Sequence, residues 1–541
     1  MTNAGNQSTG DLRRPQAAMS TTRVPIAWAL LFAAAILGVN LALAASVPAD
    51  KDSDEFTLVL ARGALAHPPG FPLYTLLGHP FVLALHALGA SWAFAANAWS
   101  ALGGAVAAFL GLLLADRLCG ERTRLPSSGR FAVAATAALL LLLHPMVTVE
   151  TTQAEVYAWH LAWVFGSSLL FVCTLEDLER EREGAPVNRT RLAACFGLVA
   201  GLGAAHHSTS VLVLLPTLLT LGWQVSTAPG KRLGPLAAGL GAACVPLVAY
   251  VVLFWRARTP DPAHWIMFEP TFEGILRHLR ASQYSGSFGG FAPSEIQSEF
   301  LARWIYPWIG GALLMLVVSA FKANSRRERL TLWTLLAAAV ANLAFAFSLN
   351  LSDPVPYFLP ALGLALVGSA PTAARMLARL PAPSARLAGA LLVLTGWATG
   401  GWWFRVGLER KQAFVQADTL IRDMWKSLPP GPGFVFWEDD MYLRLRAFQL
   451  LDREHPELAI WNAAALDAPV GRAKFTALHG IDPLAGLDDE RRNSFAGSVS
   501  EYLRWIRANV NRQTDLPVYE FDPRGRSLRR LKKAEPPAPP R

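Results

Sequence analysis

The feature that most constrains this chain is a series of long apolar runs, separated by short polar loops, that fills residues 24 to 404. A helix needs about 20 apolar residues to cross a bilayer. Val24 to Ala45 is the first such run, and others fall near 93–115, 131–147, 156–174, 192–207, 209–224, 234–254, 304–321, 331–349, 355–371 and 387–404. The pattern predicts a mainly α, polytopic membrane protein with about 11 transmembrane helices. A signal peptide ending at Ala42-Leu43-Ala44 competes for the first run, which is longer than a signal core and so reads better as a retained anchor. Segment 71–88 is nearly apolar but interrupted by Gly78-His79-Pro80, and reads as a helix lying at the membrane surface. Gly197 and Gly201 form a GxxxG pair suited to helix packing.

Composition agrees. Of 541 residues, 52% are hydrophobic and 16% charged, against about 25% charged in soluble domains. A soluble enzyme, a disordered chain and a secreted disulfide scaffold are excluded. The net charge of +9 sits in short loops rather than on one face of a domain, so nucleic acid is not an expected partner. Cys119, Cys173, Cys195 and Cys244 include no CxxC pair and lie in or beside apolar segments. They read as small apolar residues, with neither disulfide nor metal site expected.

Charge sets the sidedness. With residues 1–23 as a disordered cytoplasmic N-terminus, the inner loops hold about 20 Lys and Arg and the outer ones about 7, as the positive-inside rule demands. A true span at 71–88 would invert that asymmetry. An odd number of spans then places residues 405–523 outside the cytoplasm as a small α/β domain. There Phe434 to Trp437 and Leu458 to Trp461 read as strands, and Met441 to Arg453 and Val499 to Asn509 as helices. A disordered basic and proline-rich tail is expected over 524–541. The alanine- and arginine-rich composition suggests a bacterial inner membrane.

The spans carry almost no charge, and the acids collect at the outer boundary: Asp50, Asp52, Asp54 and Glu55 after the first span, then Glu150, Glu155 and Asp353. They are placed to line one outward cavity. Asp50 and Asp54 read as solvated loop charges. Asp52 and Glu55, spaced i, i+3, share a helix face, although a capping role at a helix start accounts for the same spacing. His206 and His207 cap the turn between two spans, without ligand spacing for a metal. Glu155 and Tyr157 stand at a span mouth. Arg277 and Arg280, also i, i+3, suit either a clamp on phosphate or an interfacial helix against lipid head groups. Glu438, Asp439 and Asp440 end a predicted strand and read as a solvated cluster.

Asp52-Ser53-Asp54-Glu55-Phe56 followed by Ala66-His67-Pro68-Pro69-Gly70-Phe71-Pro72-Leu73-Tyr74 resembles the start of the family known as domain of unknown function 2723, which includes protein O-mannosyltransferase-like membrane enzymes. The likeness continues in Ala154-Glu155-Val156-Tyr157-Ala158, His206-His207-Ser208-Thr209 and Tyr357-Phe358-Leu359-Pro360, with weaker echoes at Gln283-Tyr284 and Leu428-Pro429-Pro430-Gly431. Two positions depart: Asp54 stands where the family pattern has glycine, and Ala205 or His206 where it has asparagine. The resemblance implies a C-type glycosyltransferase fold that uses a polyprenyl-phosphate sugar as donor; a monophosphate leaving group on a lipid carrier demands no metal, and no soluble cofactor is expected. The acceptor would be a protein, lipid or glycan hydroxyl, and membrane lipids surround the spans. A carboxylate must take the acceptor proton and cationic or hydrogen-bonding groups must meet the departing phosphate. Asp52 is the expected base, with Glu55 orienting either the acceptor or the base. His67, Glu155, Tyr157, His206, His207, Arg280, Tyr284, Asp353 and Tyr357 are the expected substrate-binding residues. The rival readings are a transporter or flippase of lipid-linked saccharides, which would need polar groups at mid-membrane depth, and a non-catalytic scaffold.

Overall fold

The computed structural model describes residues 23–49, 52–120, 125, 127–226, 233–351, 353–437, 441–488, 491, 492, 495, 498–522 and 525–533. Asp50, Glu438, Asp439, Asp440, the segment 1–22 and the end of the tail from 534 lie outside the described residues. The apolar runs form α1 (Ile26–Leu43), α4 (Trp92–Cys119), α5 (Ser127–Leu142), α7 (Tyr157–Arg182), α8 (Arg189–His206), α9 (Val211–Ser226), α10 (Leu233–Arg256), α13 (Tyr306–Phe321), α14 (Arg326–Ser348), α15 (Leu359–Ala378) and α16 (Ala382–Lys426). Between them lie the shorter α2 (Asp52–Arg62), α3 (Pro72–Ala87), α6 (Pro145–Thr152), α11 (Phe272–Leu279) and α12 (Glu295–Phe300).

Among the described residues nine helices are long and apolar enough to cross a membrane, or ten if α5 and α6, bent by 70° at their junction, make one span. Helix α8 falls short in apolarity because it opens on Arg189 and Arg191 and is rich in alanine and glycine. Its course is nonetheless that of a crossing. Arg189 pairs with Glu181 at 2.8 Å near the end of α7, whereas His207, just past its other end, faces the cavity described below. Each expected run is thus a helix.

The face opposite the cavity is laced by ion pairs. Arg23, Arg117, Arg180 and Arg327 surround Glu176 at 3.3 to 4.0 Å, and Arg375 meets Glu328 at 2.6 Å. Helix α3 keeps to the cavity face. It starts from Phe71 and ends where His86 stacks on Trp92, at the start of α4, with ring centroids 3.5 Å apart.

The C-terminal unit is a four-stranded sheet in the order β2-β1-β3-β4, with β1 (Gly433–Phe436), β2 (Leu458–Trp461), β3 (Val518–Asp522) and β4 (Ser527–Arg530). The first three are parallel and β4 is antiparallel to β3. Parallel neighbours need a crossover, and α17 (Met441–Leu451) supplies it between β1 and β2. Helices α18 (Pro469–His479) and α19 (Val499–Gln513) precede β3. Alternate residues of β1 enter two cores: Phe434 and Phe436 pack with Trp461, Ile506 and Val518, and Val435 with Trp425, Leu445 and Ile460.

Three expectations change here. Helix α16 continues through residue 405 as far as Lys426, so the last apolar helix and the C-terminal unit share one rod. Strand β4 falls inside the segment expected to be a disordered tail, paired to β3 from Tyr519–Arg530 to Asp522–Ser527. Asp54, read as a solvated loop charge, is buried within α2.

Candidate active site

One cavity of about 690 Å³ opens at the ends of the helices away from the ion-paired face. Five pieces of chain wall it.

The first is the start of α2. Asp52, in its first turn, lines the cavity with its side chain 40% exposed, while Glu55, one turn on, is 3% exposed and lies behind the wall. The chain then returns through residues 63–71, and Gly70, with a φ of +90°, reaches the left-handed region that glycine tolerates. That return brings His67 to Glu55. The His67 backbone N–H donates to Glu55 Oε1 at 2.6 Å, and its ring Nδ1 lies 2.6 Å from Oε2. The other ring nitrogen, Nε2, stands 3.8 Å from Asp52 Oδ2. Phe56, Phe71, Trp265 and Tyr284 surround the imidazole.

The second wall is the turn from α6 to α7, with Glu150, Gln153, Glu155 and Tyr157. Ser100 of α4 fixes it: its hydroxyl donates to the Glu155 carbonyl at 2.8 Å and accepts from the Glu155 N–H at 3.0 Å. The third is the turn from α8 to α9. There the Thr209 hydroxyl stands 2.7 Å from His207 Nδ1 and 3.2 Å from His160 Nε2, leaving His207 at the cavity. His206 points away and bonds the Val156 carbonyl at 3.2 Å.

The fourth wall is 279–288, with Arg280 and Tyr284, and the fifth is 349–357, with Asp353 and Tyr357. They are tied together, since Asn350 N–H donates to the Ser287 carbonyl at 2.7 Å. Burial, with Asp52 and Glu55 nearby, pushes the Tyr284 phenol up, so it stays a neutral hydroxyl near neutral pH.

Nine of the eleven residues singled out from the sequence line this space: Asp52, His67, Glu155, Tyr157, His207, Arg280, Tyr284, Asp353 and Tyr357. Glu55 and His206 stand one layer behind, each holding a neighbour in place. Arg277 does not join Arg280 in a clamp. It is half exposed and pairs with Glu269 and Glu273 instead.

Gln153 and His160 were not picked out, and Thr209 entered only as the end of the His206–Thr209 motif, without a role. The polar run Thr148 to Gln153 after an apolar segment signalled the first of these. Nothing local signals His160, whose neighbours come from another turn of chain. Asp52, Glu55 and His67 each offer a ligand atom, all within 4.8 Å of one another, so these three can hold a cation. The 12-residue gap between Glu55 and His67 hid that grouping from spacing arguments.

A family model described as the N-terminal domain of protein O-mannosyl-transferase TMEM260 matches residues 52–227. The match begins at Asp52 and takes in the first three walls. Mouse protein O-mannosyl-transferase TMEM260 is 26% identical over 343 residues, which cover 61% of this chain and 45% of that protein. The chain therefore spans less than half the length of this curated relative. Among solved structures, ArnT from Cupriavidus metallidurans bound to undecaprenyl phosphate is similar with a TM-score of 0.51 at 15% identity, covering 88% of this chain and 95% of that one. The fold is of the C-type glycosyltransferase kind. The sequence likeness to TMEM260 falls on the segment that carries the expected base.

Proposed function

We propose that this chain is a membrane glycosyltransferase that moves a sugar, with mannose the first to test, from a polyprenyl-phosphate carrier to an acceptor hydroxyl at the cavity face. One observation carries the reading: Asp52 and His67, in a segment similar to an O-mannosyltransferase, share one cavity with Arg280. The bound carrier of ArnT and the name of the mouse relative support the donor and the sugar class respectively.

In this reading Asp52 takes the proton from the acceptor hydroxyl as its oxygen attacks the anomeric carbon. The bond from that carbon to the phosphate oxygen breaks, and the phosphate leaves on its carrier toward Arg280. Glu55 orients His67, which faces Asp52 and steadies its carboxylate. Tyr284 and Tyr357 offer hydroxyls to the sugar. The N-terminus is cytoplasmic and the cavity faces the other side of a plasma membrane, in keeping with the arginine-rich loops at the opposite face. No soluble cofactor is required. The ligand atoms of Asp52, Glu55 and His67 favour a second version, in which a divalent cation held there meets the phosphate charge.

The test is sugar transfer from a panel of radiolabelled polyprenyl-phosphate sugars by the purified protein in lipid, with and without a chelator. Transfer by the wild type should fall at least about a hundredfold in Asp52→Asn, in the range of a lost general base. A fully active Asp52→Asn protein would place the base elsewhere. Loss on chelation, restored by a divalent ion, selects the cation version; indifference to chelation rejects it. No transfer from any donor by a folded wild type would shift support to the transporter reading.

A further inference from the structure

Helix α17 of the C-terminal unit rests against α2, the helix that carries Asp52 and Glu55. At their contact Arg444 is 2% exposed and Asp54 is fully buried, and the guanidinium Nε donates to Asp54 Oδ1 at 2.8 Å. The same guanidinium donates to the carbonyls of Pro48, at 3.2 Å, and Ala49, which lead into α2. Asp418 of α16 stands 4.0 Å from its remaining nitrogen. One side chain from the far end of the chain therefore ties the entry of α2 to its first turn, from the side away from the cavity.

The opposite wall is braced from the same unit. Two residues along α17, Arg446 donates to the Pro262 carbonyl. Lys474 of α18 donates to the carbonyls of Ile266 and Phe268 at 2.7 and 2.8 Å. Ile266 itself is buried in the sheet's core. This strand of chain leads directly into α11 and the Arg280–Tyr284 wall, and it touches the His67 loop, where Trp265 N–H donates to the Leu65 carbonyl at 2.9 Å.

We propose that Arg444 is a positioning residue for the transfer reaction, and that through it the C-terminal unit sets the place of Asp52 relative to the Arg280 wall. This rests on the reading of Asp52 as the base. A guanidinium suits the task because its planar fork reaches a carboxylate and two carbonyls at once, which the single ammonium of lysine does not. The first turn of α2 holds the reacting carboxylate and Asp54 side by side, so a small rotation of that turn moves both. Proton transfer needs hydrogen-bond reach, and displacement of about 1 Å can cost about a hundredfold.

The experiment compares full-length protein in nanodiscs: wild type, Arg444→Lys, Arg444→Met, and the double variant Asp54→Asn with Arg444→Met. Arg444→Met alone takes the guanidinium away from a buried carboxylate and is expected to fold poorly. The double variant removes both charges and should melt near the wild type. Its kcat should remain at least tenfold below wild type, with KM for the polyprenyl-phosphate sugar within twofold, because the carbonyls of Pro48 and Ala49 are no longer held. Arg444→Lys should lose kcat in the same way while keeping its charge. Recovery of kcat together with the melting temperature in the double variant, or wild-type kcat in Arg444→Lys, would overturn the proposal.

Hydrogen exchange over residues 52–62 reads the coupling without substrate. It should rise at least tenfold in the folded variants and stay unchanged over 189–206. Unchanged exchange at 52–62 overturns the proposal even if no donor is found. Absence of wild-type transfer with raised exchange at 52–62 counts against the functional reading alone.

Discussion

Glu55 receives both the backbone N–H and the ring of His67, so its two oxygens are engaged before any substrate arrives. A carboxylate held this way acts through the imidazole. Glu55→Gln and His67→Gln should therefore lower transfer by similar factors, and the double variant should be no worse than the poorer single, the signature of two residues in one chain of contacts. Additive losses would show that Glu55 reaches the acceptor directly. Beneath the same loop His278 is enclosed by Phe254 and Phe268 and bonded to the Ala66 backbone. Burial, and secondly the nearby His67, push its imidazole down to about 3, from an ordinary value of about 6.5. The folded state keeps this ring neutral while the unfolded chain takes up a proton below about pH 6.5, so stability declines as pH falls from there toward about 3. Melting temperatures measured from pH 7.5 to 4 should drop less steeply in His278→Gln than in the wild type. Parallel slopes would remove His278 from the account.

Helices α8 and α10 show what an element demands of its residues. A Cβ on Gly197 would stand 2.0 Å from the Gly239 carbonyl oxygen, and one on Gly201 would stand 2.2 Å from that of Ala243. Backbone cannot yield as a side chain can, so Gly201→Val should cost at least about 1–3 kcal/mol, the range for overpacking. Gly241→Ala on the same α10, with nothing within 4 Å of its Cβ, should be nearly silent. Thermal unfolding in detergent distinguishes them, and equal melting temperatures would mean that these helices are free to separate.

This contact was legible as GxxxG, and the spans were legible as apolar runs, because both are written in neighbouring residues. Strands β1 and β2 were readable for the same reason. Strands β3 and β4 were not: Glu520 and Asp522 interrupt the apolar residues of β3, the half-buried to exposed β4 carries Arg529 and Arg530, and Glu520 becomes a buried acid only by pairing with Arg507 and Arg529. Asp54 was misread on the same ground, since its cation lies 390 positions away. In the candidate site, the polar residues at span mouths were visible one by one. The return of His67 to Glu55 was a property of the folded loop.

At the scale of the whole molecule the Arg444–Asp54 contact constrains the number of crossings. Asp54 follows α1 and Arg444 follows α16, and two residues in contact lie on one side of a membrane. The chain must therefore cross an even number of times between them. The candidate spans after α1 number eight without the bent pair. Counting α5 with α6 as a crossing makes the number odd, and adding α8 restores parity, so these two cross together or not at all. The bent pair begins with Arg130, 3.4 Å from Asp116 on the ion-paired face, and ends at Gln153 in the cavity, which decides for both. Ten crossings after α1 then agree with the positive-inside count. In a protein lacking its native cysteines, single cysteines at exposed Ser285 and Ser427 should react with a membrane-impermeant maleimide from one side of sealed vesicles, and a cysteine at Gly184 only from the other. Labelling of 184 and 427 from the same side would show that α8 does not cross, so that by parity the bent pair does not cross either and only eight crossings follow α1.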